Sequence, residues 1–238
     1  MSWSGEARET TRMQERPFLL DVEGHSVPGV YWSPAAGADR LVLLGHGGTT
    51  HKKIDYIVGL AQQLTKRGLA AMAIDGPGHG ERATEPWGQD RDQFPRVWTE
   101  SGGTETVLQD WRAALDFIEA EEGARPTGWW GLSMGTMMGL PVTATEPRIQ
   151  VATLGLMGTW GPNKDDLVRL AGDVTCPLRF LVQLDDEIVP YADAIELFGL
   201  LGSKRKTMHV NPGLHADVPV FEIAGSVEYL DKQLSKLS

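Results

Sequence analysis

The short motif Gly-Leu-Ser-Met-Gly at residues 131–135 constrains the fold more than any other feature of the sequence. It lies between an apolar run that contains Trp129 and Trp130 and a helical run of small residues. A strand that turns directly into a helix leaves no space for side chains beside the turn, so the flanking positions must be glycine. The central serine, Ser133, then takes a strained backbone conformation with its hydroxyl exposed above the sheet. The motif therefore predicts a strand, a tight turn and a helix that present Ser133 as a nucleophile.

Short apolar runs alternate with amphipathic runs along most of the chain. Apolar runs such as residues 41–44 and 69–74 are typical of strands that are buried on both faces of a sheet. The segments between them, such as residues 54–67, carry apolar residues at helical spacing. This alternation predicts an α/β fold with a mostly parallel sheet of about eight strands and helices on both faces. We expect a single domain over residues 17–238, preceded by a polar and loosely held arm over residues 1–16.

One stretch, residues 81–104, departs from this alternation because it has little periodicity. A loop of this length inside a compact domain is usually functional or disordered, and its aromatic residues argue against disorder. We therefore predict a flap over a pocket. The residues expected to line this pocket and bind substrate are Trp87, Phe94 and Trp98 from the flap and Trp160 from the region of a later short helix. Packing in the core is the alternative role for these aromatic side chains.

The formal net charge is −10, from 22 Lys and Arg residues against 32 Asp and Glu residues. A surface of this sign repels phosphate groups and anionic lipids, so neither nucleic acid nor a membrane surface is expected as a partner. No apolar run approaches the length needed to cross a bilayer, and the polar N-terminus does not resemble a signal peptide. The single cysteine, Cys176, cannot form an internal disulfide, which fits a reducing compartment. These features predict a cytoplasmic protein.

A serine hydroxyl becomes a strong nucleophile when a base removes its proton and an acid orients that base. In an open α/β sheet such groups lie beyond the carboxyl ends of the strands. Asp185, Asp186 and Glu187 directly follow an apolar run, and His215 follows the last predicted strand. The order of serine, acid and histidine along the chain matches this requirement. We therefore predict Ser133 as the nucleophile, His215 as the base, and an acid from the acidic run.

The sequence Gly-His-Gly-Gly-Thr at residues 45–49 follows the third predicted strand. Its glycines allow backbone N–H groups to turn towards a substrate carbonyl oxygen. We expect the N–H groups of Gly48 and of Met134, the residue after the nucleophile, to form an oxyanion hole. A glycine run can also bind phosphate, but no Gly-Lys-Ser/Thr follows this one and no Gly-x-Gly-x-x-Gly is present. Neither a cofactor nor a metal is expected.

With these motifs the chain resembles the α/β-hydrolase superfamily over nearly everything after the N-terminal arm. The resemblance rests on the glycine run at residues 45–49, the Asp-Gly-Pro-Gly-His-Gly loop at residues 75–80, the motif at residues 131–135, Asp186 with the following Val-Pro pair, and His215. It implies that Asp186, three residues ahead of that pair, is the acid, with Asp185 as the alternative. It also implies an architectural role for the 75–80 loop.

The nucleophile determines the chemistry within this superfamily, and a serine implies acyl transfer to water. The spacing of the later predicted strands leaves no room for the large cap that many relatives carry. The resemblance thus implies a serine carboxylesterase that acts on a small-molecule ester through an acyl-enzyme. A thioesterase or a small peptidase would use the same residues, and a lyase or an acyltransferase could reuse the site. A non-catalytic ligand-binding protein could also retain the scaffold.

Overall fold

A computed structural model of the protein describes residues 1–9, 13–88, 90 and 92–237. The strands are β1 (Ser2–Trp3), β2 (Arg8–Glu9), β3 (Met13–Val22), β4 (His25–Pro34), β5 (Leu41–Gly45), β6 (Ala70–Ile74), β7 (Thr127–Gly131), β8 (Ile149–Gly155), β9 (Leu178–Gln183) and β10 (Lys206–Asn211). The helices are α1 (Asp55–Lys66), α2 (Gln93–Glu100), α3 (Gly103–Glu122), α4 (Met134–Thr145), α5 (Lys164–Ala171), α6 (Tyr191–Leu200) and α7 (Val220–Leu234). From β5 onwards, strands and helices alternate as the apolar pattern predicts.

The strands of the described residues form one ten-stranded sheet in the order β1-β3-β4-β6-β5-β7-β8-β9-β10, with β2 paired to β3 off this path. The pairs among β1, β2, β3 and β4, and the pair between β4 and β6, are antiparallel. All pairs from β6 across to β10 are parallel. The predicted α/β fold with a mostly parallel sheet is therefore confirmed. The two strands beyond the expected number, β1 and β2, are only two residues long.

Successive side chains of the parallel strands pack into two separate hydrophobic clusters on opposite faces of the sheet. In β5, Leu41 and Leu43 join the cluster that includes α3, α4, α5 and α6, whereas Val42 and Leu44 join the cluster that includes α1 and α7. This alternation follows from the two-residue period of a strand. The carboxyl ends of the central strands are therefore held from both sides, which makes that edge of the sheet a rigid base for loops.

The two tryptophans of β7 anchor this central strand to both layers. Trp129 meets Trp111 of α3 edge to face, with ring centroids 4.7 Å apart. Trp130 points to the other face, where its Nε1 donates a hydrogen bond to the Oγ of Ser226 in α7 at 2.8 Å. Because both rings are almost fully buried, the turn that follows β7 starts from a fixed position.

The first 16 residues differ from the predicted loosely held arm. Residues of β1 and β2 pair with β3, and β3 itself begins at Met13. Trp3 packs on Phe117 of α3 with ring centroids 5.1 Å apart, and its Nε1 donates to the carboxylate of Glu121 at 2.8 Å. A half-buried indole thus anchors the segment, and this contact joins residues too distant in sequence to be seen in a local pattern. Residues 10–12 of the predicted arm lie outside the described residues.

The predicted flap at residues 81–104 contains more regular structure than its sequence suggests. It includes most of a 3₁₀ turn at Gly80–Arg82, all of α2 and the start of α3, while Gln89 and Arg91 lie outside the described residues. Helix α2 has eight residues and buries only three of them, which is too few to produce a periodic pattern. Pro95 fits in this helix because it stands in the first turn, where amide groups have no helical acceptor.

In the part of the chain that the structure describes, no helix is both long enough and apolar enough to cross a membrane.

The glycine at position 29 in β4 provides a test of the packing between β3 and β4. A Cβ built on Gly29 would lie 2.1 Å from the ring of the buried Phe18, its cross-strand partner. We expect Gly29→Ala to lower the free energy of unfolding by about 1–3 kcal/mol, because the ring must move within a filled core. Urea denaturation at pH 7 measures this change.

The matched control is Gly59→Ala in α1, where a Cβ meets nothing within 4 Å. This substitution should leave stability unchanged or raise it by up to about 1 kcal/mol, because alanine is the better helix former. Equal effects of the two substitutions would contradict the packing described for β3 and β4.

Candidate active site

Ser133 stands at the turn between β7 and α4, with a φ of 57° and a ψ of −123°. A positive φ is rare for residues other than glycine and stores strain of about 1–3 kcal/mol. A Cβ built on Gly131 would lie 2.5 Å from the carbonyl oxygen of Gly135, and one built on Gly135 would lie 2.4 Å from the carbonyl oxygen of Gly45. Side chains at these positions would force β5, β7 and α4 apart. The turn thus has the form that its motif predicts.

Thr136 ties this turn to the neighbouring strand β8. Its buried hydroxyl donates to the carbonyl oxygen of Gly155 at 2.7 Å and accepts from the amide of the same residue at 2.8 Å. The amide of Ser133 also donates to the carbonyl oxygen of Gly155, at 2.9 Å. The sequence analysis assigns no role to Thr136. A hydroxyl-bearing residue between the glycine and methionine residues of the first helical turn was the signal available.

His215 lies between Ser133 and Asp186. Its Nε2 is 2.9 Å from the Oγ of Ser133, and its Nδ1 is 2.8 Å from Oδ2 of Asp186. Both distances are those of ordinary hydrogen bonds. With an ionised carboxylate at Asp186, Nδ1 carries the ring proton, so Nε2 accepts the hydrogen of the serine hydroxyl. The structure therefore brings together the residues predicted as nucleophile, base and acid.

Asp186 and its neighbour Asp185 have different partners. Oδ1 of Asp186 accepts hydrogen bonds from the amides of Ile188 and Val189 at 2.9 and 2.8 Å, which leaves Oδ2 free to face the imidazole. The Asp186 side chain is only 4% exposed. Asp185 instead accepts a hydrogen bond from the amide of Gly213 at 3.0 Å. The geometry makes Asp186 the partner of the imidazole and gives Asp185 a role in holding the histidine loop.

Two further side chains hold the loop that carries His215, a role that the sequence analysis assigned to neither. Nε2 of Gln183, the last residue of β9, lies 3.1–3.3 Å from three carbonyl oxygens of this loop. The carboxylate of Glu187 accepts a hydrogen bond from the amide of His215 at 2.8 Å. This N–H group lowers the pKa of Glu187. A polar glutamine at the end of an apolar strand was the signal available for Gln183.

The two predicted oxyanion donors lie on the elements that flank the nucleophile, since Gly48 follows β5 and Met134 begins α4. As the first helical residue, Met134 has an amide for which the helix offers no acceptor. The loop that carries Gly48 is held by hydrogen bonds to both the amide and the carbonyl group of Gly47. The amide of Gly47 donates to the hydroxyl of Tyr56 at 2.5 Å, and its carbonyl accepts from the hydroxyl of Thr50 at 2.7 Å. The role of Gly48 and Met134 as an oxyanion hole stays a prediction.

His46 has a structural role that the sequence analysis did not assign. It is fully buried, and its Nε2 accepts a hydrogen bond from the amide of Gly76, just after β6, at 2.9 Å. Its Nδ1 lies 2.8 Å from the carbonyl oxygen of Gly47. These partners favour the neutral ring with its proton on Nδ1. Burial lowers the pKa of His46. The imidazole therefore joins the glycine loop to the loop after β6 while uncharged.

Three of the predicted substrate-binding aromatics form one cluster with a histidine. Ring centroids are 6.1 Å apart for Trp87 and Phe94, and 6.5 Å apart for Phe94 and Trp98. His79, from the loop after β6, packs on Trp87 with ring centroids 4.5 Å apart. The cluster thus joins the predicted flap to the architectural loop that precedes it.

Phe94 brings this cluster against the predicted oxyanion loop. A Cβ built on Gly48 would lie 3.0 Å from the ring of Phe94. Trp98 is 3% exposed and belongs to the hydrophobic core, so it packs against Phe94 from the core side. Trp160 lies apart from these contacts in the loop after β8 and is 40% exposed. Of the four predicted substrate-binding aromatics, Phe94 is thus the one that contacts the predicted oxyanion loop, and the role of all four in a pocket stays a prediction.

The other chemical groups considered from the sequence lie outside this arrangement. Burial raises the pKa of Cys176 to about 11, which disfavours the reactive thiolate. Among the residues that the structure describes, no three His, Cys, Asp or Glu side chains are grouped so that they could hold a metal ion.

Comparison with known proteins places the chain in a family. The sequence model of the family described as serine aminopeptidase, S33, matches residues 36–160, just over half of the chain. The chain belongs to this family of α/β-hydrolases. A solved PEG-bound complex of a novel cold-adapted esterase from an Arctic intertidal metagenomic library is 62% identical to it, with a TM-score of 0.93. That alignment covers 98% of this chain and 100% of the esterase chain.

More distant proteins share the fold. The acetyl xylan esterase from Paenibacillus sp. R4 is 17% identical, with a TM-score of 0.75 over 98% of this chain and 90% of that chain. Lysophosphatidylserine lipase ABHD12 from Xenopus tropicalis is 22% identical over 227 residues, which cover 76% of this chain and 55% of the lipase. The chain therefore spans about half the length of the curated relatives that it matches.

The buried neutral state of His46 predicts a loss of stability in mild acid. Because burial puts its folded pKa below the unfolded value of about 6.5, the unfolded chain binds more protons between these two values. The free energy of unfolding should therefore fall as the pH drops below about 6.5, by about 1.4 kcal/mol for each unit of pKa difference. In His46→Gln this part of the pH dependence should disappear, while the contribution of His79, whose pKa burial also lowers, should remain.

Thermal unfolding of wild type and variant across the range from about pH 7 to about pH 5 measures this effect. The control is His51→Gln, because His51 is exposed and its loss should change the slope far less than the loss of His46. A His46→Gln variant with the wild-type slope would contradict the neutral buried state of this imidazole.

Proposed function

We propose that the protein is a serine hydrolase that cleaves carboxylic esters of small molecules through an acyl-enzyme. In this proposal Ser133 is the nucleophile, His215 is the general base and acid, and Asp186 orients the histidine. The single observation that carries the proposal is the unbroken hydrogen-bonded chain from the Oγ of Ser133 to the carboxylate of Asp186, with distances of 2.9 and 2.8 Å. Only the nucleophilic activation of a hydroxyl requires these three groups in this order.

The first half of the reaction forms the acyl-enzyme. Nε2 of His215 takes the proton of Ser133 as Oγ attacks the ester carbonyl carbon, and the carbonyl oxygen becomes an oxyanion. The N–H groups of Gly48 and Met134 stabilise this charge, and each such donor contributes about 3 kcal/mol to transition-state stabilisation. His215 then gives its proton to the leaving alcohol oxygen as the bond between that oxygen and the carbonyl carbon breaks.

The second half of the reaction uses the same groups on water. His215 removes a proton from a water molecule, and the oxygen of this water attacks the acyl carbon. The bond between the acyl carbon and the Oγ of Ser133 then breaks, and His215 returns the proton to Oγ. The acid product leaves and the free serine is restored. Asp186 stays ionised throughout and stabilises the imidazolium that forms in each half. Its two backbone N–H partners keep it in position for this role.

An ester is the proposed substrate class because the 62% identical protein is described as an esterase. The family description, serine aminopeptidase, makes a small peptidase the second candidate, since the same residues can release an amine. A non-catalytic ligand-binding protein would have no need for the hydrogen-bonded serine, histidine and aspartate. A small ester as the only partner and a cytoplasmic location remain proposals, supported by the net charge of −10 and the single cysteine.

Removal of the nucleophile is the direct test of this function. We expect Ser133→Ala to abolish turnover of p-nitrophenyl esters and labelling by a fluorophosphonate probe, because no other group can form the acyl-enzyme. Absorbance assays and mass spectrometry of the labelled peptide measure the two effects. Ester turnover that persists in Ser133→Ala would contradict the assignment of Ser133 as the nucleophile. Turnover of aminoacyl p-nitroanilides in preference to esters would favour the peptidase.

The role of the acid is tested by a pair of neighbouring substitutions. Asp186→Asn should lower kcat by roughly 10³- to 10⁴-fold, because the amide favours the wrong tautomer of His215 and cannot stabilise its cation. Asp185→Asn changes the same chemical group one residue away and should lower kcat far less, since the Asp185 carboxylate accepts a hydrogen bond from the amide of Gly213 and not from the imidazole. The reverse order of effects would move the acid to position 185.

A further inference from the structure

Two buried ring nitrogens beside the candidate active site have no hydrogen-bond partner among the described residues. They are Nε2 of His79 and Nε1 of Trp87. Their rings pack together, with centroids 4.5 Å apart and planes inclined by 33°. An unpaired buried polar atom is unfavourable, because it gives up its hydrogen bond to water without replacement, so a native structure that retains one needs an explanation. Here two such atoms occur on rings in direct contact.

The two nitrogens are chemically complementary. Nδ1 of His79 lies 2.8 Å from the carbonyl oxygen of Pro77 and therefore carries the ring proton. In the neutral ring, Nε2 is then a hydrogen-bond acceptor. Burial lowers the pKa of His79 and so favours this neutral form. Nε1 of an indole can only donate. The pair thus offers one acceptor and one donor, which is the combination that a single hydroxyl group satisfies.

The sheet order indicates which part of an ester faces this pair. His215 must protonate the leaving oxygen, so the alcohol portion lies on the side of β9 and β10. We place the acyl portion on the other side of β7, towards β5 and β6. His79 stands in the loop after β6, and Phe94 connects its ring to Gly48, with the His79 and Phe94 centroids 5.9 Å apart. The unpaired nitrogens therefore lie on the same side of β7 as the predicted oxyanion loop, opposite the loop that carries His215.

We propose, on the basis of the proposed function, that His79 and Trp87 form a subsite for a hydroxyl group on the acyl portion, so that hydroxyacyl esters are the preferred substrates. The hydroxyl donates to Nε2 of His79 and accepts from the N–H of Trp87. Phe94, between this subsite and the oxyanion loop, contacts the carbon atoms that separate the hydroxyl from the ester carbonyl.

Trp87 is the more accessible member of the pair. It is half-buried, and the residues that precede it, 83–86, are all exposed. His79 is fully buried, and its Nδ1 is held by the carbonyl oxygen of Pro77. An entering acyl group is therefore expected to approach from the side of the indole and to meet Nε2 of His79.

A purely apolar acyl pocket predicts the opposite preference. Transfer of a hydroxyl from water to an aromatic pocket without hydrogen bonds is unfavourable, so an acyl group without a hydroxyl would react faster. A water molecule trapped between the two nitrogens predicts that the hydroxyl brings no advantage. The sign of the hydroxyl effect on kcat/KM therefore separates these accounts.

The experiment compares matched esters with wild-type enzyme. The pairs are methyl cinnamate with methyl 4-hydroxycinnamate, and methyl hexanoate with methyl 6-hydroxyhexanoate, so that both flat and flexible acyl groups are sampled. We expect kcat/KM to be higher for the hydroxyl member of at least one pair by about 10-fold or more. The reason is that the analogue without a hydroxyl leaves the polar groups of the subsite without hydrogen bonds. His79→Phe and Trp87→Phe keep a ring but remove one partner, and each should bring this ratio close to one.

The matched control is Trp111→Phe. Nε1 of Trp111 is also buried without a partner, but its ring packs against Trp129 in the core. This variant should retain the wild-type ratio. The proposed subsite is contradicted if the kcat/KM ratio of the hydroxyl to the non-hydroxyl ester falls equally in Trp111→Phe. It is also contradicted if this ratio stays at the wild-type value in both His79→Phe and Trp87→Phe.

The outcomes for the subsite and for the proposed function are distinguishable. If wild type hydrolyses both members of each pair equally, or prefers the members without a hydroxyl, the subsite is wrong and the esterase stands. If wild type hydrolyses no ester, the proposed function fails, and calorimetric titration of Ser133→Ala with 4-hydroxycinnamate and cinnamate decides the subsite. Tighter binding of the hydroxylated acid supports the subsite, and equal binding overturns it.

Discussion

The close approach of two backbones, at the end of β5 and the start of α4, is the constraint on which the rest of the site depends. Gly135 comes so near Gly45 that a Cβ on it would lie 2.4 Å from a carbonyl oxygen. This contact places the glycine loop beside the nucleophile, and the positive φ of Ser133 lifts its hydroxyl out of the same turn. Because Trp129 and Trp130 hold β7 from both faces of the sheet, the strain in the turn cannot relax.

The surroundings of each histidine in the site determine whether its role is structural or chemical. His46 and His79 are buried, and burial lowers the pKa of both, so they act as neutral hydrogen-bonding groups. His215 stands in the loop between β10 and α7, 12% exposed at its side chain, with a carboxylate on one ring nitrogen and a hydroxyl on the other. A base must face the group whose proton it removes, and His215 is the one of these three that faces the hydroxyl of Ser133.

The parts of the fold that sequence analysis predicted are those set by local pattern. The helix expected at residues 54–67 is α1, because apolar spacing acts within a few residues. The motif at residues 131–135 identified the turn at Ser133 because close backbone contacts permit only glycine at its flanks. The order of acid and histidine along the chain followed from the geometry of a parallel sheet.

The parts that it missed depend on partners distant in sequence. Trp3 fixes the N-terminal segment through its contact with Phe117, and the polar sequence around Trp3 does not indicate this contact. Gln183 holds the histidine loop through carbonyl groups about 30 residues later in the chain. Helix α2 is too short to generate periodicity, so it resembled a loop. For Trp3 and Gln183 the deciding interaction is tertiary, so the local sequence pattern does not show it.

The central claim is that Ser133, the imidazole of His215 and the two backbone N–H groups converge on one reacting carbonyl. A crystal structure of the protein after reaction with a phosphonate ester tests this most directly, because the adduct mimics the tetrahedral intermediate. The account predicts a covalent bond from Oγ of Ser133 to phosphorus, with a phosphoryl oxygen within about 2.7–3.1 Å of the N–H groups of both Gly48 and Met134. An adduct on another residue, or an oxygen directed away from these two amides, would contradict it.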